Sequence, residues 1–392
     1  MTPAARVQAA IEVLDQIRAG KPAERALTGW ARRSRYAGSK DRAAVRDHVF
    51  DALRCKRSFA ALGGADTGRG MMLGALRAAG QDPDHIFGST PHAPPPLMPQ
   101  ETQSGRAPHA GPEALDVPDW LWPLLVDSLG ADASAYAQIL KTRAPVHLRV
   151  NLRKTSREDA RIALASDGIE TRPHASAETA LEIRQGARRL RQCQLYLDGR
   201  VELQDGASQA VVQELPLRDG MRVLDYCAGG GGKALAMAAR ADIELFVHDA
   251  APQRMQDLPA RADRAGVRFQ PLAGAELDRH GPFDLILCDV PCSGSGAWRR
   301  SPEGKWSLSA TKLHELQEIQ ADILARAAAL VSGRGVLCYA TCSVLNVENS
   351  RQIDQFAAAN PAWQPGFNRT WMVQNGTDGF FTAHLTRIQG TG

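Results

Sequence analysis

Two cysteines in short polar loops are the side chains of this sequence best suited to covalent chemistry. Cys292 lies in the loop 289–296 (DVPCSGSG), and Cys342 lies in the segment 341–343 (TCS). Each follows an apolar run that predicts a β-strand, so both cysteines are expected at strand ends. A thiolate is the strongest side-chain nucleophile near neutral pH, and glycine and serine leave it accessible. The pair is therefore a candidate nucleophile and proton-transfer partner.

Two other interpretations of these cysteines stay open at this point. They could be buried packing residues, as we expect for Cys288 and Cys338, which lie within the predicted strands. They could also bind a metal, because each loop cysteine forms a C-x3-C pair with one of those two. The metal interpretation is the weaker one, because the first cysteine of each pair lies in an apolar strand and no histidine joins at a zinc-site spacing. We predict no metal.

A glycine-rich loop, 227–233 (CAGGGGK), is the second group of interest. An apolar run precedes it and an alanine-rich run follows it, which predicts a strand, a tight loop and a helix. Glycine lets a ligand approach the backbone, and the start of the helix directs free N–H groups at that ligand. A turn that merely needs glycine is the alternative. Asp249, about sixteen residues further on, is placed to accept hydrogen bonds from two ribose hydroxyls.

The elements that must position these loops form an alternating α/β pattern from residue 206 onward. A helix with one apolar side, within 313–330, separates the last two predicted strands. The pattern predicts a doubly wound sheet, in which ligands bind outside the carboxyl ends of the strands. The predicted strands are 223–224, 245–247, 267–269, 283–288 and 335–339.

The chain ahead of this sheet divides into three predicted segments. Residues 1–80 are predicted to be all-α, with Val7, Ile11, Leu14 and Ile17 on one helix face. Residues 81–113 are rich in Pro, His, Ser and Gly, which is typical of a linker. Residues 114–205 combine a helical segment with a small α/β unit, and residues 206–392 form the last predicted domain.

Charge and cysteine content limit the function classes. The net charge is +4, but residues 1–60 carry thirteen Lys and Arg against six Asp and Glu, and a second basic group lies in 141–191. Such an excess favours a polyanionic partner such as RNA, with a solvated helix face as the alternative. Seven cysteines without a signal peptide predict reduced thiols and a cytoplasmic protein. No apolar run approaches the roughly 18 residues of a membrane span. The oligomeric state is not predicted.

The loops together resemble the signature motifs of the RsmB/Nop2/NSUN family, which are S-adenosylmethionine-dependent RNA cytosine-C5 methyltransferases. The likeness covers about residues 145–388. It implies a Rossmann-like class I methyltransferase sheet. Residues 38–54 also resemble the NusB-like RNA-binding domain at the front of some rRNA methyltransferases. The motifs are 224–233 (LDYCAGGGGK), 289–296 (DVPCSGSG), 340–343 (ATCS), 299–306 (RRSPEGKW), 204–208 (QDGAS) and 378–381 (DGFF).

The resemblance implies a role for each catalytic candidate. Cys342 would add to C6 of the cytosine, and Cys292 would serve the later loss of the C5 proton. Asp289 would hold the N3/N4 edge of the base, and Lys233 would orient the base or Asp289. The target base would have to be flipped out or single-stranded. The implied cofactor-binding residues are Cys227, Ala228, Gly229, Gly230, Gly231, Gly232, Lys233, Asp249, Arg254 and Asp289.

The sequence departs from the family pattern at the cofactor side. The family has Pro where Gly230 stands and Thr or Ser where Ala234 stands. It also has an acid after the third strand, near the adenine, whereas 270–274 (QPLAG) has none and Glu276 is the next acid.

The predicted function is methylation of RNA, with small-subunit rRNA as the substrate and the same chemistry on tRNA as an alternative. A catalytically idle RNA-binding assembly factor is a second alternative, although such a protein should have lost a cysteine. A third is an oxidoreductase that binds a nicotinamide dinucleotide at the glycine loop.

Overall fold

The computed structural model describes residues 1–388 and divides into two compact units. The first unit contains residues 1–143 together with 298–308, and the second contains residues 144–297 and the chain from 309 onward. Within residues 1–388, no helix has both the length and the apolar character that crossing a membrane requires.

The elements are numbered in chain order. The helices of the described chain are α1 (Pro3–Arg18), α2 (Ala23–Arg33), α3 (Ser39–Arg54), α4 (Lys56–Gly63), α5 (Gly68–Ala78), α6 (Pro99–Gln103), α7 (Trp122–Leu129), α8 (Ala133–Leu140), α9 (Arg157–Ser166), α10 (Gln194–Leu197), α11 (Gly206–Glu214), α12 (Gly232–Arg240), α13 (Leu258–Ala265), α14 (Leu277–His280), α15 (Glu303–Ser307), α16 (Ala310–Leu330) and α17 (Ser350–Ala359). The strands are β1 (Val146–Val150), β2 (Glu170–Pro173), β3 (Ala180–Gln185), β4 (Val201–Leu203), β5 (Arg222–Asp225), β6 (Glu244–Val247), β7 (Gln270–Pro271), β8 (Phe283–Asp289), β9 (Val331–Thr341), β10 (Trp363–Trp371) and β11 (Phe380–Arg387).

The first unit is helical, and its main core lies between α1, α2, α3 and α5. The predicted apolar face of α1 is present: Val7, Ile11 and Leu14 are buried, and Ile17 packs against the same core. The Thr2 hydroxyl accepts a hydrogen bond from the N–H of Ala5 and caps the start of α1.

The segment 81–113, whose composition predicts a linker, packs against α5. Phe87 is buried, and the Arg69 guanidinium lies 4.6 Å from the centre of its ring. Arg77 donates hydrogen bonds to the backbone carbonyls of Leu62, Glu101 and Ser104. Proline-rich backbone lacks N–H groups with which to form its own ladder, so arginines that bind its carbonyls can order it.

The second unit begins with a four-stranded antiparallel sheet of order β2-β3-β1-β4. Helix α9 packs on it, and Leu148, Leu164 and Leu181 are fully buried in its core. This sheet and α9 lie in the part of the chain, 114–205, for which the sequence predicts a small α/β unit.

The main sheet has seven strands in the order β10-β11-β9-β8-β5-β6-β7. Strands β5 to β9 run parallel to one another, and at one end of the sheet β11 runs antiparallel to both β9 and β10. One apolar core lies on each face, as expected for a sheet covered by helices on both sides. The predicted doubly wound α/β fold is therefore confirmed.

Three details differ from the sequence prediction. The third strand was expected at 267–269, but the structure forms β7 at the next two residues, because Gln270 and Pro271 are the ones aligned with β6. Strand β9 begins at Val331, ahead of the predicted residue 335. Strands β10 and β11 were not predicted.

Candidate active site

The parallel strands bring the four loops singled out in the sequence to one edge of the sheet. Asp225, the last residue of β5, pairs in register with Val247 of β6 and Leu287 of β8. Asp289, the last residue of β8, pairs with Ala340 of β9. The glycine loop, the Asp249 turn and both cysteine loops therefore follow the carboxyl ends of neighbouring strands.

The two loop cysteines face each other. The Sγ atoms of Cys292 and Cys342 are 3.4 Å apart, within reach of an S–H···S hydrogen bond, and both residues are partly exposed. The hydrogen bond with Cys342, and then burial, raise the pKa of the Cys292 thiol well above its usual range. Cys288 and Cys338 are fully buried in the sheet, as predicted.

A lysine and a carboxylate stand beside the cysteines. Lys233 lies in the first turn of α12, and its Nζ donates to Oδ2 of Asp289 at 2.6 Å. The Lys233 side chain is only 7% exposed and its Nζ lies 4.7 Å from the centre of the Phe380 ring. The Asp289 side chain is 30% exposed, so it remains accessible to a ligand.

Backbone hydrogen bonds join the two cysteine loops to each other and to the segment ahead of β11. The N–H of Gly296 donates to the carbonyl of Cys342, and the N–H of Gly379 donates to the carbonyl of Gly296, both at 2.9 Å. A Cβ atom on Gly296 would overlap the Gly379 carbonyl, so only glycine fits there. The segment ahead of β11 thus supports the loop that holds Cys292.

The glycine loop and Asp249 form one structure. Gly229 and Gly231 have φ angles of 51° and 77°, in the left-handed region that favours glycine. Asp249 is buried, and its oxygens accept the N–H groups of Gly229 and Ala251 at 2.9 Å. A carboxylate has about four acceptor positions, so Asp249 has capacity beyond these two backbone donors.

Other predicted cofactor residues lie around this loop. Arg254 forms an ion pair with Asp249 at 3.3 Å and is 55% exposed. The N–H of Ala228 donates to the carbonyl of His248, and Arg261 donates to the carbonyl of Gly230. Gly232 begins α12. Burial raises the pKa of Cys227 well above its usual range, so this thiol is not a reactive one.

Asp225 bears on whether S-adenosylmethionine fits this site. It is 1% exposed, and neither of its carboxylate oxygens has a hydrogen-bond partner within the described chain. Burial, followed by the charge of Asp289, raises its pKa to about 7, although Lys233 opposes the shift. An unpaired buried carboxylate is costly. The ammonium group in the methionine part of S-adenosylmethionine would supply the missing partner. The residues of this site therefore fit that cofactor.

The adenine side differs from the family pattern, as the sequence predicts. Glu276 binds the N–H of Ala273 and caps a short helical turn, so its carboxylate is engaged locally. His248 lies after β6, its Nδ1–H donates to the carbonyl of Leu272 at 2.9 Å, and its ring contacts the Tyr226 ring edge-on. His248 and Leu272 are thus fixed beside the Asp249 turn.

Glu348 is a site residue that the sequence analysis missed. It is fully buried, and its carboxylate accepts hydrogen bonds from residues that flank both loop cysteines. Its only sequence signal is its place as an acid in 344–349 (VLNVEN), just after the second cysteine loop.

A possible cation cluster lies elsewhere in the second unit. Donor atoms of His147, His174 and Glu182 lie within 4.8 Å of one another. Arg172 and Arg184 already bind the two oxygens of Glu182, at 2.7 Å and 2.6 Å. Two arginines beside the carboxylate disfavour a further cation there.

The chain is similar in sequence to known proteins. Residues 212–386 match the family described as 16S rRNA methyltransferase RsmB/F, and residues 117–188 match the ferredoxin-like domain of RsmF/B-like methyltransferases. Ribosomal RNA small subunit methyltransferase B of Citrobacter koseri is 31% identical over 285 residues, covering 69% of this chain and 66% of that protein. The same-named protein of Vibrio cholerae is 31% identical over 288 residues, covering 69% and 65%. The match thus spans just under two thirds of these relatives' length.

Two solved structures share the fold. The crystal structure of PH0851 has a TM-score of 0.80 at 22% identity and covers 99% of both chains. The structure of NSun6 from Pyrococcus horikoshii with SFG has a TM-score of 0.62 at 15% identity, covering 70% of this chain and 99% of that one.

Proposed function

Because the chain belongs to the RsmB/F family of methyltransferases, we propose that it methylates C5 of a cytosine in small-subunit rRNA. S-adenosylmethionine, the cofactor of this family, supplies an electrophilic methyl group when bound. The observation that carries the proposal is the pair of thiols 3.4 Å apart, beside the Lys233–Asp289 ion pair. The rRNA role would place the protein in the cytoplasm.

The cofactor would be held by the glycine loop and two acids. Asp249 would accept hydrogen bonds from the ribose hydroxyls, in the positions that its two backbone donors leave open. Asp225 would pair with the ammonium group. Arg254, on the exposed side of Asp249, would cover the same end of the site.

Cys342 is the proposed nucleophile. Cytosine C5 is a weak nucleophile until a bond forms between Cys342 Sγ and C6, which moves the electron pair of the C5=C6 double bond toward C5. Asp289, held by Lys233, would bind the N3/N4 edge of the base and stabilise the charge that develops there. C5 then takes the methyl group.

Cys292 is the proposed proton-transfer partner. While it keeps its proton, it can donate an S–H···S hydrogen bond to a Cys342 thiolate and so favour the nucleophile. After methyl transfer, a base must remove the C5 proton. The electron pair of that C–H bond then restores the C5=C6 double bond and expels Cys342. Once Cys342 is bound to C6 its negative charge no longer faces Cys292, so the partly exposed Cys292 thiol can release its proton to solvent. The resulting Cys292 thiolate would be the base that takes the C5 proton.

An RNA substrate is supported by an exposed basic patch on the first unit. We define this basic patch as Arg32, Arg33, Arg35 and Lys40, all of which are exposed, together with Tyr36, which is 76% exposed. Cations interleaved with an aromatic ring suit phosphates and an unstacked base.

Bisulfite sequencing of rRNA and tRNA from a deletion strain tests the proposal. We expect one cytosine of small-subunit rRNA to lose its protection and to regain it when the gene is restored. Loss of protection in tRNA alone would transfer the activity to that substrate. Unchanged protection in both RNAs would favour the idle assembly factor.

A further inference from the structure

Glu348 joins the two loops that hold the reactive thiols. Its Oε1 accepts the N–H of Ser293 at 2.8 Å, and its Oε2 accepts the hydroxyls of Ser293 and Ser343, each at 2.5 Å. Ser293 directly follows Cys292, and Ser343 directly follows Cys342. One carboxylate therefore holds the residue after each cysteine.

Gln320 completes the arrangement from helix α16. Its Nε2 donates to the carbonyl of Pro291 at 2.9 Å and to Oε1 of Glu348 at 3.1 Å. Pro291 directly precedes Cys292, so Gln320 and Glu348 hold both neighbours of that cysteine. On the side of Cys342, the carboxylate contacts only the Ser343 hydroxyl among the described residues.

The groups that bind the Glu348 carboxylate within the described chain are one backbone N–H, two hydroxyls and one amide, and all of them donate. A carboxylate that accepts hydrogen bonds from four groups is stabilised in its ionised form. A buried negative charge held against the backbone of Cys292 disfavours a second negative charge on that sulfur. The other titratable groups around Cys292 are Cys342 and Tyr339, and the Lys233–Asp289 pair stands at the end of the same strand β8.

We propose that Glu348 is a positioning residue that holds the two cysteine loops together and keeps the proton shared by the two thiols on Cys292, so that Cys342 becomes the thiolate. The inference rests on the proposed function for its meaning, but the distribution of the proton is a property of the free protein. It also explains why two thiols 3.4 Å apart can have different roles.

The pH dependence of alkylation tests this proposal without RNA or cofactor. The full chain is treated with iodoacetamide over a range of pH, and each cysteine peptide is quantified by mass spectrometry. In the parent protein we expect Cys342 to react at lower pH than Cys292. In Glu348→Gln, the Cys292 profile should move to lower pH, so that the difference between the two cysteines narrows several-fold at neutral pH.

Gln320→Met gives a shift of opposite sign. It removes one donor from the carboxylate and leaves its charge less neutralised, so the Cys292 profile should move to higher pH. A loss of packing alone would expose Cys292 and accelerate its alkylation in both variants. Glu318→Gln, at a 67% exposed side chain on α16, is the matched control and should leave both profiles unchanged.

An unchanged Cys292 profile in a folded Glu348→Gln protein would overturn the proposal, as would equal shifts of the same sign in the Glu348 and Gln320 variants. Circular dichroism establishes folding. If Glu348→Gln does not fold, the direction of the Gln320→Met shift decides the question. A failure of the proposed methylation would not change these profiles, so the two failures are distinguishable.

Discussion

At the level of single residues, the site separates similar groups by their surroundings. Cys288 and Cys338 are buried in the sheet, whereas Cys292 and Cys342 lie in loops at its edge. Asp249 is buried with backbone donors, whereas Asp225 is buried without a hydrogen-bond partner in the described chain. These differences make distinct predictions for individual substitutions.

Replacing each loop cysteine with Ala should stop the proposed reaction at a different step. Cys342→Ala cannot form the bond to C6, so it should be inactive and release RNA normally. Cys292→Ala should complete the attack and the methyl transfer but stall before elimination, and so accumulate a protein–RNA adduct. Incubation with RNA and cofactor, followed by denaturing electrophoresis, detects that adduct as a slow band.

The double variant is the control for this experiment, and it should lose the band because attack precedes elimination. A band from Cys342→Ala alone would mean that the two roles are exchanged. Normal turnover in both single variants would contradict the covalent mechanism.

Asp225→Asn should increase the stability of the cofactor-free protein at high pH. Burial, and then Asp289, raise the pKa of Asp225 from 3.8 to about 7. The folded state therefore favours the protonated acid, and its contribution to stability is present below pH 3.8 and lost as the pH rises toward 7. At about pH 8 the Asn variant should unfold less readily, by up to about 4 kcal/mol.

Urea unfolding of both proteins at about pH 4 and pH 8 measures this difference, which should vanish at the lower pH. Calorimetry should show weaker cofactor binding by the variant, because an amide cannot neutralise an ammonium group. Asp263→Asn, at an exposed position of α13, should change neither property. An equal stability difference at both pH values would contradict the prediction.

At the level of elements, the segment 81–113 is held by arginine side chains of α5 as well as by backbone hydrogen bonds of its own. The segment 81–113 contains the short helix α6 and is attached to α5 through Arg69 and Arg77. Its composition predicted a linker because the segment has few apolar residues to bury. Composition alone cannot show that side chains elsewhere in the chain bind the backbone carbonyls of the segment.

Arg77→Met should release this segment. The substitution keeps the apolar stem and removes donors to three backbone carbonyls, and hydrogen bonds from a charged group contribute about 1.5–3 kcal/mol. We expect protease cleavage within 81–113 to accelerate at least tenfold while the helices of the first unit stay protected. Arg32→Met, at an exposed position, is the control. Equal cleavage rates in both variants would show that Arg77 does not order the segment.

At the level of the whole molecule, the sequence motifs predicted the family, the Rossmann-like sheet and the cofactor, and the family match confirms these three. The motif residues lie at the carboxyl ends of strands. Parallel pairing brings these ends to one edge of the sheet, so the site does not depend on the exact length of each helix. The individual roles of Cys342, Cys292, Asp289 and Lys233 remain proposals.

Other features could not be predicted because they depend on partners far away in the chain. Strand β10 contains Pro365 and Gly366 and exposes most of its residues, so it has no alternating apolar pattern. Glu348 looks like a surface acid until Ser293 and Gln320, both distant from it in the chain, bind its carboxylate. The segment 298–308 belongs to the first unit because Arg54 binds the carbonyl of Arg299 and Trp306 binds that of Leu53.

The basic patch makes a prediction about RNA binding by the full chain. Replacing Arg32, Arg33 and Arg35 with Ala should weaken binding and reduce the slope of log affinity against log salt by about 0.7–0.9 for each phosphate that the protein no longer neutralises. Cofactor affinity should not change. Arg46→Ala is the matched control, because Glu24 already binds both of its terminal nitrogens. An unchanged slope would exclude the patch from the RNA interface.

The hydrogen bond between Gly379 and Gly296 has a consequence for the order of events during synthesis. A ribosome makes the glycine loop and both cysteines before it makes β11, and β11 lies inside the sheet, between β9 and β10. Until β11 is inserted, β10 has no neighbour and the Cys292 loop lacks its support. A nascent chain that stops short of β11 can therefore contain all the proposed catalytic residues while the loop that holds Cys292 is still unsupported.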